Sequence, residues 1–235
     1  MVNTVLLDFK TRVQEVDGYF IFLESLIKEK AKLAFFDSDG EYQLKNLDSE
    51  LVKTLKANGF LLLYNLVEST MRNAIEAIYD EFRSTGVCFD KIKPKIRITI
   101  LQSVQIFFKN DSAKNLHSKI TQISIDIITA TFEREKIFSG NVDAKVIRDI
   151  ADKYGFSHCT DCSQTKNGQN LLVVREIRND LAHGIKSFEE VGRDKTIDDL
   201  LEIKKEVIEY LRQILQNIQK YLDNKEYLDL SVCNS

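Results

Sequence analysis

Apolar residues recur at alternating spacings of three and four along most of this chain, the period of one side of a helix rather than of a strand. Leu6, Phe9, Val13, Val16, Phe20, Leu23 and Ile27 mark an opening helix that buries one stripe. Phe35 to Gly40 reads as a turn, and a second long helical region is predicted from about Asp48 to Phe82, with Asn58-Gly59 as a candidate break. Ser84-Thr85-Gly86 ends it. Pro94 suits the first turn of the next helix, which continues in apolar, β-branched residues from Ile96 to Phe108. Residues 120–132 are β-branched enough for a strand but spaced for a helix, and the helix is the expectation. Ser139 to Asp143 is a cap and turn cluster before a short amphipathic helix from Ala144 to Tyr154, which Gly155 closes. Ser157 to Asn170 is polar and without periodicity, so it reads as a loop. A helix from about Leu171 to Ala182, ending at Gly184, follows; Thr196 with Asp199 then resembles a capping box opening a long final helix over about 197–222.

Composition agrees with the pattern. One proline, nine glycines and no tryptophan among 235 residues are too few turn-formers for a sandwich or barrel, which makes the expected class all-α, in a single domain over 1–235. No apolar stretch approaches the roughly 18 residues of a membrane span. The first residues lack a basic region, and Asp8 interrupts their apolar run, so they make a poor signal peptide. Cys88, Cys159, Cys162 and Cys233 are too sparse for a disulfide scaffold, and a reducing cytoplasm is the expected location. The net charge of −3 argues against generic adhesion to nucleic acid, yet Asp90 to Lys119 holds seven basic residues against two acidic ones. Within it, Lys91, Lys93, Lys95 and Arg97 admit two readings, a solvated loop and helix start or a patch that tracks phosphates.

Chemistry concentrates at Arg178-Asn179-Asp180-Leu181-Ala182-His183. An arginine keeps its proton and grips phosphate oxygens with a planar fork, whereas an imidazole can give or take a proton near neutral pH. The bland alternative is a polar helix end whose histidine caps the last carbonyls. On an ideal helix Val174, Ile177 and Leu181 share one face, while Arg175, Asn179 and His183 form a polar stripe with Arg178 beside it. Arg178 and His183 would then point about 140° apart, so both meet one phosphate only if the helix ends near His183 or a second copy completes the site.

The stretch resembles the R-x4-H signature of HEPN domains, helical modules of which many cut RNA in toxin–antitoxin and antiviral systems. Leu62 to Arg72 looks like the long helix that packs beside the motif helix in such folds. With Phe138 to Ala144, Tyr154-Gly155-Phe156, Leu181 to Gly184 and Phe188 to Arg193, the chain is similar to the MAE-type HEPN-like nuclease family over most of its length. The resemblance implies a HEPN-like helical bundle with additional flanking helices, a homodimer whose motif helices meet in a basic cleft, and RNA as substrate. It assigns the scissile phosphate to Arg178, proton handling to His183, and orientation of substrate or His183 to Asn179. Arg175 and the Lys91 to Arg97 residues become candidate substrate contacts. RNA carries its own nucleophile, so no cofactor or metal is expected; the products would be a 2′,3′-cyclic phosphate and a 5′-hydroxyl. An antitoxin or other defence-system protein is the implied partner. The competing possibility is an idle HEPN module that dimerises and binds RNA or nucleotide within a larger complex.

Other chemistries fit less well. Cys159 and Cys162 could hold half a zinc site, but no second such pair or paired histidine accompanies them. Glu68 and Arg72 read as an intrahelical ion pair, and Asp180 as a local cap or pair. Phosphate-loop, dinucleotide and H-E-x-x-H zinc-protease patterns are absent.

Overall fold

Helix period in the sequence becomes helix in space. In the computed structural model, which describes residues 2–108, 120, 127, 128, 132, 138 and 140–231, the first element is α1 (Val2–Lys28). A hairpin of β1 (Lys32–Phe36) and β2 (Tyr42–Asn46) follows, and then α2 (Ser49–Thr85). After it come α3 (Pro94–Phe108), α4 (Ala144–Tyr154), α5 (Cys162–Thr165), α6 (Gln169–Ala182), α7 (Phe188–Arg193) and α8 (Ile197–Asp223). The architecture is all-α apart from the hairpin. Most of the segment 120–132 lies outside the described residues, as do Cys233 and His117. Among the described residues no helix is long and apolar enough to cross a membrane.

Several expectations need correction. The turn at Phe35 to Gly40 is flanked by two strands paired antiparallel, Phe36 opposite Tyr42 and Lys32 opposite Asn46. Asp37 organises the bend by accepting from the backbone N–H groups of Asp39 and Glu41. Every strand residue is exposed, so no buried side imposes the alternation by which a strand is read from sequence. Asn58-Gly59 does not break α2. A side chain at Gly59 would begin 3.2 Å from the Phe20 ring, so the glycine admits α1 to close range. The polar stretch 157–170 contains α5, capped by the Asp161 carboxylate at Ser163 N–H, and a 3-10 turn over Lys166–Gly168. A helix also forms at Phe188–Arg193, opened by a reciprocal capping box of Ser187 and Glu190.

The chain packs as two compact units, and α2 and α8 contribute to both. One comprises residues 1–7, 68–160 and 211–235. Its centre is aromatic: Tyr79, Phe82, Tyr154, Phe156, Tyr221 and Tyr227 are buried, and most meet edge to face. The Tyr154 hydroxyl donates to that of Tyr79, and Tyr221 donates to the Tyr154 carbonyl at 2.7 Å. Asp143 caps α4 at Val146 N–H, and Gly155 ends it in the left-handed region at φ 85°. Arg72 pairs with Glu68 one turn away and also donates to the Phe138 carbonyl at 3.1 Å, which makes it a structural residue.

Burial raises the hydroxyl pKa of Tyr79, Tyr154 and Tyr221 above the ordinary 10.0. The folded state therefore keeps protons that the unfolded chain releases, and the stability is fully present below about pH 10 and declines as pH rises beyond it. Chemical denaturation at stepped pH is expected to show a falling midpoint above pH 10, with the tyrosinate absorbance of these three residues appearing together with unfolding rather than before it.

The second unit comprises residues 8–67 and 161–210 and contains the hairpin, α5, α6 and α7. Phe20, Leu23, Phe60, Leu63, Val174 and Leu200 fill its core. Polar contacts frame it: Lys204 pairs with Asp17 at 2.7 Å, Lys53 with Glu189 at 2.7 Å, and Lys56 donates to the Lys195 carbonyl.

Candidate functional site

The motif helix α6 is held at both ends by residues that suit unusual backbone. Lys166, Asn167 and Gly168 have φ of 45°, 55° and 76°, three successive left-handed residues that turn the chain into the helix. Asn and Gly visit that region readily, whereas a lysine there costs roughly 1–2 kcal/mol. The Lys166 ammonium lies 2.6 Å from carboxylate oxygens of both Glu202 and Glu206, which ties the turn to α8. Asn170 also donates to the buried Glu206. At the other end the helix stops at Ala182. His183 is the C-cap at φ −94°, ψ 0°, and Gly184 reverses the chain at φ 66°.

Inside the helix, Leu171, Val174 and Leu181 are buried and Ile177 is half-buried, the face that periodicity assigned to the core. Arg175, Arg178 and Asn179 are half-buried, and His183 is exposed. The helix ends at Ala182, next to the histidine, whose N–H still donates to the Asn179 carbonyl at 3.0 Å and keeps His183 close to helical register.

Arg178 has an uncommon setting. Its guanidinium carbon stands 3.8 Å from the centre of the Tyr64 ring, and Tyr64, on α2, is only 6% exposed. Among the described residues no acceptor reaches its Nε or Nη2, although both atoms are buried. Folded proteins rarely leave buried charged donors without acceptors, because the desolvation is then unrecovered. The Nε–Nη2 edge is also the edge that meets a phosphate or carboxylate with two parallel hydrogen bonds. The cation lies against the ring, and its Nε and Nη2 donors are buried and uncommitted.

The neighbouring residues divide into local and open roles. Asp180 is structural: its carboxylate pairs with Lys186 at 2.9 Å, and its carbonyl accepts from Ile185 at 2.8 Å. Asp180 in turn raises the Lys186 pKa, chiefly through that hydrogen bond. Arg175 lies 3.6 Å from the Glu176 carboxylate. Lys91, Lys93, Lys95 and Arg97 belong to the aromatic unit, whereas the motif belongs to the other. Of these four, Arg97 faces Asp229 at 3.8 Å. Lys109, Lys114 and Lys119 lie outside the described residues. Cys159 and Cys162 are free thiols, and among the described residues no group of three or more His, Cys, Asp and Glu side chains is placed to hold a metal ion. Tyr64, against the guanidinium of Arg178, is a residue that the sequence reading did not single out. It stands inside the Leu62 to Arg72 stretch assigned beside the motif helix, but nothing in that stretch announces which side chain meets the arginine.

No curated protein and no solved structure matches the chain. The sequence pattern of the MAE_28990-like HEPN family matches residues 1–227. That span carries the motif helix, its N-terminal turn, its Gly184 stop and the α2 residues beneath Arg178, and on it the chain belongs to the MAE_28990-like HEPN family.

Proposed function

We propose that this protein is an endoribonuclease of the HEPN type, acting as a toxin or antiviral-defence effector in the cytoplasm. Membership of the family suggests a nuclease or related role, and the observation that carries the finer reading is the uncommitted Nε–Nη2 edge of Arg178. In this reading Arg178 binds two oxygens of the scissile phosphate and holds the charge that gathers on them. The RNA 2′-oxygen attacks phosphorus, its proton leaves to a base, and the P–O5′ bond breaks as the 5′-oxygen takes up a proton. His183, exposed at the helix end, serves one of these proton transfers, and Asn179 orients it or the substrate. The nucleophile belongs to the RNA, so the reaction calls for no metal-activated water. Arg175, Lys91, Lys93, Lys95 and Arg97 contact flanking phosphates, and a second copy of the chain brings its own motif to complete the cleft.

The test is direct. Purified full-length chain incubated with RNA in the presence of a chelator is expected to yield 2′,3′-cyclic phosphate and 5′-hydroxyl ends. Binding of RNA without cleavage would instead favour an idle RNA-binding module, and cleavage abolished by the chelator would exclude this chemistry.

A further inference from the structure

An arginine in a protein interior is ordinarily oriented by acceptors. Arg72 shows the usual arrangement: Glu68 and the Phe138 carbonyl take its N–H groups, and the Phe138 ring stands farther off at 5.7 Å. Such a cation is well held, but its donors are spent and its charge is offset. At Arg178 the plane is set by an aromatic face instead. The Tyr64 ring lies 3.8 Å from the guanidinium carbon, well inside the roughly 6 Å within which a ring face attracts a cation. A ring face stacked against a guanidinium leaves the in-plane N–H groups unspent. Tyr64 is itself buried, on α2.

We infer that Tyr64 is a positioning residue for the site, one that holds the guanidinium of Arg178 by its ring face and so leaves the Nε and Nη2 donors, which are buried in this structure, unspent for a phosphate. The inference rests on the ribonuclease reading above, and it is separable from it by experiment. A side chain that fills the same space without a π face leaves the arginine in place but lets its plane rotate. Misplacement of a reacting or stabilising group by about 1 Å can cost about 10²-fold in rate.

The experiment compares wild type with Tyr64→Leu and Tyr64→Phe, with Tyr64→Met as a second ring-free variant should the leucine protein fail to fold. The first readout is the Arg178 Nε–H resonance, which a ring face displaces upfield. It is expected upfield in wild type and in Tyr64→Phe, and near the value of an ordinary arginine in the ring-free variants. The second readout is inorganic phosphate titrated against that resonance, with binding about tenfold weaker when the ring is gone. The third is RNA cleavage, where ring loss lowers kcat by about 10²-fold with KM little changed, and Tyr64→Phe recovers the rate. Cleavage and phosphate affinity at wild-type levels in a folded variant that has lost the upfield shift would overturn the inference. If wild type binds phosphate in this ring-dependent way yet cuts no RNA, the role of Tyr64 stands and the ribonuclease reading falls.

Discussion

Arg178→Lys and His183→Ala are each expected to lower RNA cleavage by about 10²–10³-fold while leaving the fold intact. Lysine keeps the positive charge at 178 but loses the planar fork, so it cannot reproduce a two-point grip on phosphate oxygens. If attraction to a polyanion were all that Arg178 supplied, the lysine variant would retain most of the activity. His183 is exposed, and its backbone N–H caps the helix by donating to Asn179 at 3.0 Å, a bond that the substitution does not touch. Loss of activity at His183 therefore cannot be laid to a melted helix end. Single-turnover cleavage, with circular dichroism and a melting curve on each variant, checks the pair. Near-wild-type rates in either protein would remove that residue from the chemistry.

The second large effect concerns stability. Gly192→Ala is expected to destabilise the unit that carries the motif by about 3 kcal/mol, which in a chain of this size lowers the melting temperature by about 10 °C. A β-carbon at Gly192 would stand 1.9 Å from the Lys53 carbonyl oxygen, 2.5 Å from its carbonyl carbon and 2.7 Å from its α-carbon. Those atoms are backbone of α2, so no side-chain rotation relieves the clash and α7 must withdraw from α2. Withdrawal also strains the Lys53 to Glu189 pair, which joins the same two helices. A control exists at Gly18, where a β-carbon meets nothing within 4 Å, and Gly18→Ala within α1 should be neutral or mildly stabilising. Thermal unfolding of the two variants beside wild type decides the matter, and an unchanged melting temperature for Gly192→Ala would mean that α7 does not sit against α2.

Periodicity, caps and a short motif made much of this protein legible without coordinates. The helices at 2–28, 144–154 and 197–223 follow from apolar stripes at helical spacing, the start of α3 from Pro94, and other ends from Asp143, Gly155 and the Thr196 with Asp199 box. These are local signals: each depends on residues within a turn or two of one another, so the sequence contains all that is needed to read them. The Ser187 with Glu190 box is equally local, a signal of the short helix α7 that the sequence reading did not take up. The motif was visible for the same reason, since arginine, asparagine and histidine declare their chemistry by type and spacing.

What the tertiary structure alone decided are the contacts between segments far apart in sequence. The hairpin is the exception in distance, since Phe36 pairs with Tyr42 only six positions on, but its exposed strands lack the one-sided burial that writes a strand into a sequence. Gly59 looked like a break until Phe20, 39 positions away, turned out to need the space. Gly192 carries no distinguishing mark until the Lys53 backbone is beside it. Most tellingly, Arg178 and Arg72 are the same residue type on helices of similar pattern. One is spent on Glu68, whose partnership is readable at a spacing of four; the other rests on Tyr64, 114 positions earlier, with its fork uncommitted. Sequence spacing specifies neighbours within a helix, whereas neighbours across the interior are chosen by packing of the whole unit, and it is there that an arginine becomes either a strut or a site.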